Sequence, residues 1–221
     1  MDTRFWGPSG WELLHRISFQ RPILHDTEGV LYTAMMILPC KYCRESVYHF
    51  MKEIPYTNNP SKWLYDIHNL VNDKLRIQSH TDKKVKDPGP DPTFEAVKHK
   101  YTTTQFANVA GRDFLYSIVV NYHVRADQIL LHHRFLTLLS HTYPDTELRD
   151  AFVEYIRESD LKNVLENKTR YLKWMYGLLA KLSQIKNVEI PTYEKYLKYV
   201  SRFRSNCKKT ITCRTRRTRK I

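Results

Sequence analysis

Apolar positions recur at helical spacing along almost the whole chain. Trp11, Leu14, His15 and Ser18 lie at i, i+3, i+4, i+7, with Ser9 as the N-cap of a first helix. Val30, Leu31, Ala34, Met35 and Leu38 make a second stripe, which stops at Pro39. A third helix starts near Cys40, carries Cys43, Val47, Phe50 and Met51 on one face, and ends before Pro55. The fourth runs from about Ser61 to Ile77 on the stripe Trp63, Ile67, Leu70 and Val71. The segment from Ser79 to Pro92 reads as a loop, with a short helix from Thr93 to Tyr101 beyond it.

From Gly111 a second helical set follows: Arg112–Tyr122, Ala126–His141, Asp145–Glu158, Leu161–Leu182 and a last helix near Thr192–Arg204. Leu38-Pro39-Cys40-Lys41-Tyr42-Cys43-Arg44 has a counterpart 105 positions on, Tyr143-Pro144-Asp145-Thr146-Glu147-Leu148-Arg149, and the flanking helices correspond in order and length. The pattern predicts an internal duplication whose second copy has lost its cysteines; the competing reading is that helical hairpins look alike. The predicted class is all-α, with units at 1–105, 106–205 and a tail at 206–221.

Composition narrows the chemistry. Six glycines among 221 residues, with neither GxGxxG nor GxxxxGK[ST], exclude Rossmann and P-loop nucleotide binding. No run approaches the ~18 apolar residues of a membrane span, so no membrane partner is expected. The N-terminus lacks a basic segment followed by an apolar one, so no secretory signal is expected. Nine of the thirteen net positive charges fall in residues 201–221, a stretch without an acid. Such a tail fits nucleic acid or an acidic partner.

The four cysteines form two pairs, Cys40/Cys43 and Cys207/Cys213. Cys40 and Cys43 sit at a helix N-terminus, where free N–H groups and the helix dipole stabilise a thiolate, and i, i+3 spacing allows a disulfide. Three readings compete. A zinc half-site would draw on His49 and His68, but no second CxxC or HxxxH stands at usual spacing, so no metal is assigned. A thioredoxin-like motif needs a preceding strand, and helices flank this one. A dithiol exchanging electrons with a cofactor inside a helical bundle survives. Tyr65, His68, Asn69 and Asn72 give the fourth helix a polar stripe, which alone would read as solvent-facing. Trp11 and His15 on the first helix supply a second aromatic and imidazole pair, and such groups converging on one interior suit a planar heterocycle with adenine and ribose.

In order, Gly7-x3-Trp11-x2-Leu14-His15, Pro39-Cys40-x2-Cys43 and His68-Asn69-x-Val71-Asn72-x2-Leu75 resemble the Erv/ALR family of FAD-linked sulfhydryl oxidases. Pro92-Thr93-Phe94 to Lys100-Tyr101 resembles that family's closing element. The resemblance covers about residues 5–103. It implies a four-helix bundle with a short fifth helix, holding FAD through Gly7, Trp11, His15, His68, Asn69, Val71, Asn72, Lys100 and Tyr101. It further implies Cys43 against the flavin and Cys40 facing incoming protein thiols, with oxygen taking the electrons as hydrogen peroxide. Thr3 and Ile77 stand where the family commonly has basic residues, which leaves the phosphate contacts there open. Cys207 and Cys213 become a candidate shuttle pair. The second half is similar to the inactive partner domain of some two-part relatives, which implies an intrachain pseudo-dimer and leaves a homodimer open. Two-part chains of this kind are similar to oxidases of large DNA viruses, implying host cytoplasm or virion. The competing class is a non-enzymatic basic nucleic-acid-binding protein.

Overall fold

The computed structural model describes residues 1–104 and 106–204. The Cys207/Cys213 pair and the basic run from Arg214 to Lys220 lie outside the described residues, which form eleven helices and no strand. The first five are α1 (Thr3–Ser18), α2 (Thr27–Met36), α3 (Lys41–Glu53), α4 (Pro60–Thr81) and α5 (Phe94–Thr103). The second set comprises α6 (Arg112–Val120), α7 (Ala126–Thr142), α8 (Thr146–Arg157), α9 (Leu161–Leu165), α10 (Lys168–Ile185) and α11 (Tyr193–Ser201).

Local chemistry sets most of the ends. Asp2 caps α1 by accepting from the Arg4 N–H, Asn59 caps α4 ahead of Pro60, and Thr93 caps α5. Ser9 is not the start of α1. Pro8 forfeits one i→i−4 bond but keeps helical φ, so α1 runs through it from Thr3. The predicted helix from Leu161 to Leu182 is two: Asn167 takes extended backbone and caps α10 through the Arg170 N–H, separating α9.

α1 packs on α4 and α5, α2 on α3, and α3 on α4; in the second set α6 packs on α10 and α11, α7 on α8, and α8 on α10. The two sets meet chiefly through α1 on α6 and α2 on α7. Leu13, Ile17, Leu31 and Ala34 of α1 and α2 are buried, as are Phe114, Leu115, Phe135 and Leu139 of α6 and α7. α2 has only ten residues, too few to hold as an isolated helix. Its position rests on this packing, in which each buried aliphatic side chain contributes roughly 1.5–3 kcal/mol.

Candidate functional site

α3 begins where Pro39 turns the chain and Cys40 takes extended backbone (φ −140°, ψ 118°) as N-cap. The Cys40 Sγ accepts from the Cys43 N–H at 3.2 Å, and the two residues are disulfide-bonded with Cα atoms 5.2 Å apart. That separation lies in the ordinary disulfide range. Both cysteines line a cavity of about 480 Å³ between α1, α3 and α4, a volume suited to a sizeable organic ligand.

Its floor is apolar, made by Leu14, Met35, Leu38, Val47, Phe50 and Val71. Trp11 and His68 lie along it, their rings stacked at 3.8 Å and 9°. Gly7 also borders it, and a Cβ there would meet nothing within 4 Å, so a side chain would project into open cavity. Arg4, Lys74 and Lys100 bring cations to the lining. Arg4 is held by Asp2 at 2.6 Å, the Lys74 ammonium donates to the Ser46 hydroxyl, and Lys100 lies 5.0 Å over the Tyr101 ring. Ile77 is 70% exposed and turned to solvent.

Behind this surface, His15 Nε2 and His68 Nδ1 lie 2.9 Å apart, within hydrogen-bond distance. His15 is buried and stacks on Tyr101 at 4.9 Å; its Nδ1 is buried without a partner. Burial, then the neighbouring His68 and Lys100, holds His15 well below the usual imidazole range. Burial lowers His68 to about 4, opposed by Asp91 and assisted by Lys100. The pair is therefore neutral at pH 7 and offers polarity to a ligand without fixed charge. Asn72 donates to Asp91 at 2.7 Å, and Arg76 grips the same carboxylate at 2.6 Å and the Gly89 carbonyl at 2.7 Å. These bonds pin the loop that carries α5 across the site.

Of the residues singled out in the sequence, Cys40, Cys43, Gly7, Trp11, His68, Val71, Asn72, Lys100 and Tyr101 border the one cavity. His15 backs it, and Asn69 is half-buried outside the lining. Cys40 is only 2% exposed whereas Cys43 is half-buried. A thiol attacking Cys40 would need the residues over it to yield. Sequence reasoning missed Arg4, Ser46, Lys74, Gln78 and Phe114. Extending the stripe His68, Asn72, Leu75 by three residues would have reached Gln78. Phe114 comes from α6, and no local signal marks it.

Residues 8–89, which contain most of this cavity wall, match the model of the Erv1 / Alr family. More particularly, the chain is 33% identical over 85 residues to a probable FAD-linked sulfhydryl oxidase of Acanthamoeba polyphaga mimivirus. That match takes in 33% of this chain and 59% of the relative. No solved structure matches. Among the described residues no helix is long and apolar enough to cross a membrane, and no three His, Cys, Asp or Glu side chains cluster as a metal site.

Proposed function

We propose that the protein is a FAD-linked thiol oxidase that forms disulfides in protein substrates. The observation that carries this reading is the Cys40–Cys43 disulfide in the wall of a cavity whose other residues suit FAD. The apolar floor fits an isoalloxazine, and Trp11, His68 and Tyr101 fit the adenine. Arg4, Lys74 and Lys100 fit the phosphates, and the open space over Gly7 admits close approach to the backbone. Bound FAD supplies the two-electron acceptor, from which oxygen takes the electrons as hydrogen peroxide.

The chain's own part is thiol exchange. A substrate thiolate attacks the Cys40 Sγ, the Cys40–Cys43 bond breaks, and Cys43 leaves as a thiolate facing the cavity. The second substrate thiolate attacks the mixed disulfide, closing the substrate disulfide and releasing Cys40. The Cys43 N–H that bonds the Cys40 Sγ, with the positive end of α3, stabilises the sulfur as charge develops on it.

Residues 106–205 read as a degenerate copy of the first unit. Asp145 caps α8 through the Leu148 N–H as Cys40 caps α3 through Cys43. Arg149 donates to the Tyr143 carbonyl six residues back, as Arg44 does to Leu38. Tyr65 donates to the Pro92 carbonyl at 2.9 Å, and Tyr176 to the Pro191 carbonyl at 2.8 Å. In the second unit Leu148 is buried and Asp145 pairs with Lys186, so that half holds no disulfide.

The test is direct. Purified protein is expected to be yellow and to oxidise dithiothreitol with uptake of oxygen. Cys40→Ser and Cys43→Ser are each expected to abolish turnover while retaining FAD. Colourless protein that does not take up FAD, or serine variants that still consume oxygen, would refute the assignment.

A further inference from the structure

Positive groups from distant parts of the chain come within electrostatic reach of one another, two of them beside the Leu38–Pro39 segment. Arg44, in the first turn of α3, donates to the Leu38 carbonyl. Arg204 follows Phe203, whose carbonyl accepts from the Asp2 N–H at 2.8 Å; the adjacent Met1 in turn bonds the Pro39 carbonyl at 2.9 Å. Lys168, at the start of α10, donates to the Val120 and Tyr122 carbonyls at 2.9 and 2.7 Å, the second on the residue before His123. These charges press on one another. His123 is lowered by burial and then by Lys168, Arg204, Arg125 and Arg44; Lys168 is lowered by burial and by Arg204.

The nearby carboxylates pair with other cations, although the Glu45 charge also acts on Arg44. Asp2 bonds Arg4 at 2.6 Å, Glu45 faces Lys41 at 3.7 Å, and Asp127 faces Arg125 at 3.0 Å. Among the described residues, none of Arg44, Lys168 and Arg204 has a carboxylate within 4.0 Å. Gathering like charges costs stability, and the cost is offset when an anion docks.

We propose that Arg44, Lys168, Arg204 and His123 form an anion-recognition surface at the disulfide, and that the dithiol substrates carry carboxylates close to their reacting cysteines. This rests on the thiol-oxidase reading, because a partner docked beside Cys40 must present a thiol. The same requirement favours an acidic polypeptide over nucleic acid, which has no thiol to offer.

The experiment uses the full-length FAD-loaded protein and two dithiol peptides that differ only in having Glu or Lys around the cysteines. At low salt the acidic peptide is expected to show about tenfold higher kcat/KM, narrowing to about twofold or less at high salt. Arg204→Glu and His123→Glu are each expected to cut that ratio at least by half. Both peptides are measured on one preparation, so flavin content and folding cancel in the ratio. Equal kcat/KM in the parent protein, or a ratio unmoved by both substitutions, would overturn the proposal. Indifference to peptide charge together with oligonucleotide binding lost in Arg204→Glu would also overturn it, assigning the surface to nucleic acid. Dithiothreitol turnover by the parent protein tests the oxidase reading separately.

Discussion

Gly7 and Gly111 are single residues whose surroundings differ sharply. Gly7 lies inside α1 with open cavity over it, so Gly7→Ala is expected to stabilise the flavin-free protein by up to about 1 kcal/mol. In the proposed site the same methyl would take up space left for FAD, so retention of FAD is expected to fall, as read by flavin fluorescence in the filtrate after buffer exchange. The buried histidines give a second residue-level expectation. Burial holds His15 and His68 neutral, lowers His132 to about 3, and sets His132 Nδ1 3.1 Å from the Tyr171 hydroxyl. The unfolded chain protonates all three near pH 6.5, so it binds more protons than the folded state and stability falls as pH drops. The loss begins near 6.5 and runs down toward about 4 for His68 and about 3 for His132. His132 alone accounts for roughly 2 kcal/mol by pH 5. Melting curves of the flavin-free protein at pH 7.5 and 5 check this; equal Tm values would contradict it. Cys40, Cys43, Trp11 and His68 were legible in the sequence because their chemistry is unusual for a helix surface. Arg4 and Lys74 were not, since a cation on a helix reads as solvated until a neighbouring helix encloses it.

Helix identity was legible and helix ends less so. The period of Trp63, Ile67, Leu70 and Val71 is unmistakable, whereas the choice between Asp2 and Ser9 as the cap of α1 depends on whether Pro8 is read as a boundary or as an interior residue. The split at Asn167 was hidden because apolar residues continue on both sides of it. Gly111 decides the start of α6: its φ is +76°, and a Cβ there would lie 2.5 Å from Leu13 Cδ2 and 3.0 Å from Leu13 Cβ. Gly111→Ala is therefore expected to cost roughly 2–4 kcal/mol by combining left-handed strain with overpacking. Chemical denaturation checks this, and a loss below about 0.5 kcal/mol would show that the α1–α6 contact adjusts freely.

At the scale of the molecule, the likeness between the segments around Cys40 and Asp145 could be read in sequence, but the way the two helical sets meet could not. Which faces of α1 and α2 are covered, and by what, depends on contacts between residues more than a hundred positions apart. Ser9 and Phe114 are an example: the Ser9 hydroxyl accepts from the Phe114 N–H at 3.4 Å. Residues 1–105 expressed alone are expected to self-associate through the bared α1 and α2 faces, with sedimentation showing dimers or larger species. A soluble monomeric fragment would contradict that. In the intact chain, α6 and α7 are tethered to the surface they cover, so their local concentration is fixed by covalent connection and not by the amount of protein in solution. Turnover per molecule, with FAD kept saturating, should then stay constant on dilution from micromolar to picomolar, where a bundle completed by a separate subunit would fall apart and fade.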